Sequence, residues 1–121
     1  MAGGLRFRSE ATLISSFSAP FTVAASPIIL VPTSQMVGIQ RVGVYRMIMV
    51  AEAQTNFQFQ DTAGNPISAR YNLSAAGSTV TLDTPINGDP WWQTTVAGRG
   101  LQLVLTGTGP VDADIWVAWG A

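Results

Sequence analysis

The feature that most constrains this chain is a two-residue hydrophobic rhythm, broken at short intervals by turn residues. In "TNFQFQD", Phe57 and Phe59 alternate with Gln58 and Gln60. In "STVTLDT", Val80 and Leu82 alternate with threonines, and in "LQLVLTG" Leu101, Leu103 and Leu105 stand against Gln102 and Thr106. Successive side chains of a β-strand point to opposite faces, so each such segment buries one face and leaves the other to solvent. Between them, "DTAGNP", "SAAG", "PINGDP" and "TGPVDAD" supply the Gly, Asn, Asp and Pro that a reversing backbone needs. No segment longer than a turn or two carries a helical period.

The longest strand candidate is "IQRVGVYRMIMVAEA". Strict alternation puts Val42, Val44, Arg46, Ile48 and Val50 on one face, and Arg41, Gly43, Tyr45, Met47 and Met49 on the other. Both faces are largely apolar, which suits a central strand whose outer face is also covered. A helix competes over "RMIMVAEAQ", but the β-branched residues before it and the turn residues after it favour strand. "PIILVP" is a short strand between prolines, and "IWVAWGA" places Ile115, Val117 and Trp119 on one face and Trp116 on the other. "ATLISSFSAPFTVAAS" is broken by Pro20 and suits an edge or crossing segment. "MAGGLRFRSE", with its flexible glycine pair, reads as an arm. The expected fold is all-β: a single antiparallel β-sandwich, jelly-roll-like, of about eight strands with an N-terminal arm. Residues 1–20 are the arm and edge segment, and residues 21–121 the β-sandwich domain.

Chemistry is narrowed by what the 121 residues lack. There is no histidine, cysteine or lysine, so Ser-His-Asp and Cys-His arrangements, soft-metal sites, Schiff bases and Walker-type loops are excluded. Asp112 and Asp114 share a strand face and could serve a hard cation or a carboxylate pair, but they read better as solvated residues beside a turn. No enzyme, cofactor or metal is expected. The net charge of −1 gives no basic footprint for nucleic acid. No apolar run reaches the roughly 18 residues of a membrane helix. Arg6 and Arg8 ahead of an apolar stretch loosely imitate a signal peptide, but Glu10, the serines and Pro20 interrupt it. Asn72-Leu73-Ser74 matches a glycosylation acceptor, with nothing else pointing to a secreted chain. Only 11% of residues are charged, against about 25% in an ordinary soluble domain, so much of the surface is expected to be covered by copies of the chain or by a partner.

The four tryptophans sharpen that expectation. Trp91 and Trp92 are adjacent, so one indole belongs to the sandwich and the other faces outward, where indoles anchor interfaces. Trp92 is favoured as the outward one. A coplanar, solvent-facing pair of Trp92 and Trp116 would instead suit a sugar ring.

The C-terminal half, from about Gln54 to Ala121, carries a recognisable cassette. An F-x-F strand and a "GNPIS" turn precede "LSAAGSTVTL", then "DPWWQTTVAGRGLQLVLTG" and a closing "DIWVAWG". This resembles the small β-sandwich virion proteins of tailed bacteriophages, the capsid decoration or cement class. The resemblance implies a homotrimer, or a dimer, on the outer surface of a phage head. There it would bind the major capsid protein and hold capsomers together without chemistry. The alternative is a carbohydrate- or receptor-binding module of a phage fibre. The protein–protein interface expected on this reading comprises Arg6, Phe7, Arg8, Trp91, Trp92, Arg99 and Trp116.

Overall fold

The computed structural model describes residues 12–16, 19–36, 38–83 and 89–120. Among them lie nine strands: β1 (Thr12–Ser15), β2 (Ile28–Val31), β3 (Arg41–Ala51), β4 (Thr55–Asp61), β5 (Tyr71–Leu73), β6 (Thr79–Leu82), β7 (Trp92–Gln93), β8 (Leu101–Gly107) and β9 (Val111–Gly120). The alternating segments fold as their pattern dictates. In β4, Phe57 and Phe59 are buried while Asn56, Gln58 and Gln60 are half-buried on the other face, and in β8 Leu101, Leu103 and Leu105 join the core.

Two antiparallel sheets pack face to face. One runs β1-β9-β3-β6, with the short β7 also on β3, and the other runs β2-β8-β4-β5. Four pairs, β1·β9, β2·β8, β3·β6 and β4·β5, are nested one inside the next. That is the wrapping of a jelly roll. The architecture matches the expected sandwich, and the two-residue β7 is the addition to the eight strands of the wrap. Within the segment 1–20, Thr12–Ser15 forms the edge strand β1, and Phe21 bridges Val111 as the chain crosses to the second sheet.

The face assignment along β3 needs one correction. Val44 pairs with Val117 and Arg46 with Trp116, so Tyr45 is an extra residue in the ladder. Such a bulge shifts the phase of alternation by one. Val42 and Val44 point into the core, but beyond the bulge the inward set is Met47, Met49 and Ala51, from the other expected face. Arg46, Ile48 and Val50 therefore move to the outer face. On β9 the expected split holds: Ile115 and Val117 are core residues, Trp119 packs against them, and Trp116 lies on the other side.

One end of the sandwich is tied by a buried carboxylate. Asp61, fully buried at the end of β4, accepts from the backbone N–H groups of Ala63 (2.9 Å) and Asn65 (3.0 Å) and from the Arg99 guanidinium at 3.1 Å. Burial pushes its pKa up, but the Asn65, Arg99 and Ala63 hydrogen bonds outweigh it and hold the carboxyl below its ordinary value. A depressed carboxylate stabilises the fold above its unfolded pKa and loses that contribution as pH falls through the lower folded value. Asp61→Ala is thus expected to cost about 2 kcal/mol at neutral pH. The gap between variant and parent should begin to narrow below about pH 4 and shrink further as the pH falls through the lower folded value. Urea denaturation at pH 7 and pH 3 checks this, and a gap independent of pH would count against the ionised tie.

Candidate interaction surface

The outer face of the five-stranded sheet is built by register. Leu13 lies opposite Trp116, and Trp116 opposite Arg46. One row further along, Ser15, Asp114, Ile48 and Thr81 line up, and beyond them Asp112, Val50 and Thr79. The inward partners of all three rows are core residues, so these side chains face out. The Arg46 guanidinium stacks over the Trp116 ring, 4.6 Å from its centroid. Leu13 beside it is 42% exposed. The result is an apolar ridge carrying one fixed cation.

Next to the ridge the face is hollow. A groove of about 330 Å³ is lined by Ser15, Ser16, Ile48, Val50, Asp112, Ala113 and Asp114. Its floor is apolar and its rim acidic. The Ser15 hydroxyl donates to Asp114, which fixes that carboxylate across the β1·β9 pair. Glu52, just past the end of β3, shares a hydrogen bond with Asp112 that holds the Glu52 carboxyl above its ordinary value, and the like charge of Asp112 adds to the effect. Among the described residues, no three His, Cys, Asp or Glu side chains are grouped as a metal site requires.

The paired indoles take the reverse of their expected orientation. Trp92 pairs with Val44 and shares its inward face, where its ring packs 5.4 Å from Phe59 and 5.8 Å from Tyr71. Trp91 is the outward one, 47% exposed, with Nε1 donating to the Asp83 carbonyl at 2.7 Å. The reason is β7 itself. Its two residues pair with β3 ahead of the bulge, where Val44 still points inward. Pro90 sits on the outer face directly over Gly43, and a Cβ at Gly43 would meet the Pro90 Cβ at 2.7 Å.

Trp92 and Trp116 consequently lie on opposite faces of one sheet and form no shared platform. Arg99 is engaged within the fold by Asp61 rather than held out toward solvent alone. Arg6, Phe7 and Arg8 lie outside the described residues.

Sequence reading missed three things. Arg46 joins Trp116 only because the bulge turns it outward, and nothing in the local pattern marks the extra residue. Glu52 meets Asp112 through the β3·β9 register, which spacing along the chain does not reveal. The loops preceding β3 and β8 expose Ile39 (72%) and Val96 (43%), and are joined by the Gly98 N–H donating to the Gln40 carbonyl at 2.8 Å.

The outer face of the four-stranded sheet is of another kind. Gln102 donates to Gln60, Gln60 to Gln58, and Asn56 to Thr106, so this uncharged face is bonded largely to itself.

No family model, curated protein or solved structure matches the chain.

Proposed function

We propose that the protein is a structural virion component. It acts as a decoration or cement protein that binds copies of itself and the major capsid protein on the outer surface of a tailed-phage head. Jelly rolls serve both viral capsid and lectin domains, so the fold alone does not separate this reading from a glycan-binding one. The observation that carries the proposal is the Leu13–Trp116–Arg46 ridge on the outer face of the five-stranded sheet. The arginine-stacked indole joins two residue types, Trp and Arg, that are enriched among the anchors of protein interfaces. The lack of histidine, cysteine and lysine supports a role without catalysis, and the resemblance of the C-terminal half supports the virion. The alternative of a sugar platform loses its geometric basis, because Trp92 is turned into the core.

Immunogold electron microscopy of particles that carry this chain tests the proposal. Label distributed over the head is expected. Label confined to the tail fibres, or none on particles, would overturn it.

A further inference from the structure

The groove on the outer face of the five-stranded sheet has an apolar floor and an acidic rim, and we propose that it seats residues 5–8 of a neighbouring copy of the chain. This rests on the assembly reading above and names the contact that joins the copies. The groove, of about 330 Å³, has Ile48 and Val50 at its floor and Asp112 and Asp114 at its rim, and none of the residues lining it is basic. Glu52 stands beside Asp112, so carboxyl groups crowd that end. Arg46 lies one row away, stacked on Trp116. A groove of this charge suits an occupant that is basic and partly apolar.

Leu5, Arg6, Phe7 and Arg8, which lie outside the described residues, have that composition: two cations, two large apolar side chains and no acid. On an extended backbone Leu5 and Phe7 share one side, and Arg6 and Arg8 the other. The apolar pair can then lie against Ile48 and Val50. The arginine side chains are long enough to bend to the rim carboxylates with their stems along the groove. A guanidinium there also offsets the like charges of Glu52 and Asp112.

Chain length decides whose segment it is. β1 runs from the Val117 row toward the Asp114 row, so residues before Thr12 start from the end of the strand remote from the groove. The groove lies between the Asp114 and Asp112 rows, about 10–17 Å beyond Thr12 along the strands. Its floor is on β3, two strands across, which adds about 10 Å sideways. Phe7 is five residues before Thr12, a span of at most about 18 Å when fully extended. Reversing the chain takes at least two of those residues and leaves about 11 Å. Phe7 of the same chain falls short, and that of another copy does not.

Disulfide cross-linking on the full chain tests this, since the parent has no cysteine. Full-length Phe7→Cys and Val50→Cys variants are mixed one to one and mildly oxidised. A disulfide joining one variant to the other is expected, identified by mass spectrometry of the linked peptides. Gln58→Cys, on the outer face of the other sheet, replaces Val50→Cys as the control and should link far less. A chain carrying both Phe7→Cys and Val50→Cys should link to other copies rather than close on itself. Should Val50→Cys disturb folding, Ile48→Cys carries the same expectation. In analytical ultracentrifugation the parent is expected to associate at about 100 μM. Arg6→Ser, Phe7→Ser and Arg8→Ser together should weaken that association at least about thirty-fold, with unchanged circular dichroism. Linking no stronger than the Gln58→Cys control, closure within one chain, or a monomeric parent would overturn the exchanged segment. So would a triple variant that associates as tightly as the parent, or a link made only to capsid protein on particles. Head labelling by microscopy reads the virion role separately, so failure of either result leaves the other standing.

Discussion

Gly100→Ala is expected to destabilise the folded protein by more than about 3 kcal/mol, at the upper end of what overpacking costs. Gly100 is buried between the Asp61–Arg99 tie and the first residue of β8. Its N–H reaches the hydroxyls of Thr33 and Thr62, each at 3.2 Å, and its carbonyl accepts from the Thr62 N–H at 3.1 Å. A methyl group there would collide with the Val31 carbonyl oxygen and stand 2.8 Å from the backbone of Pro32 and Thr33. These are main-chain atoms, so no rotamer change makes room. Relief would require β2 to pull away from β8, breaking the pairing of Val31 with Leu101. Urea denaturation monitored by tryptophan fluorescence checks this. A loss under about 1 kcal/mol would mean that the two segments do not approach as closely as described.

The second large effect separates two neighbours. Trp92→Ala is expected to cost about 3 kcal/mol, the lower end of the range for truncating a core aromatic, since Trp92 is only half-buried. It packs on Phe59 and Tyr71, closing the core beside β7. Trp91→Ala removes an indole that is 47% exposed and one hydrogen bond to the Asp83 carbonyl, so its cost should stay near about 1 kcal/mol. The same denaturation curves decide the matter. Equal losses for the two variants would contradict the inward and outward assignments.

The fold was legible where a strand obeys one rule along its length. Phe57 and Phe59, the three leucines of β8, and Ile115 and Val117 all declare their faces by parity alone, and they occupy the core. Parity fails at Tyr45, because a bulge is specified by the match between two strands and not by either sequence. The same limit explains the site. Trp116 was separated by parity from Ile115, Val117 and Trp119, but its partner Arg46 is remote in sequence and strict alternation grouped it with Val42 and Val44, from which the bulge parts it. Adjacency of Trp91 and Trp92 showed that they must diverge. Which one turns inward depends on the register of β7 with β3, and sequence carries no local signal for it. The acid pair Asp112 and Asp114 was read correctly as sharing a face, while Glu52 arrives from a different strand.

The nested order of the strands also bears on how the chain reaches its structure. In the five-stranded sheet, β1 and β3 are not neighbours; β9 lies between them and pairs with both. Leu13 therefore finds Trp116 only after every other strand has been laid down. Closing loops of that length costs entropy before any contact returns it, and folding rates fall as sequence separation grows. The central strand is the last in chain order, so the earlier strands stay without the neighbour that completes their sheet until it docks. Folding should be slow and late-committed, governed by the arrival of a single segment. During that wait, the edges of β1 and β3 that β9 will occupy are open to pairing with another chain.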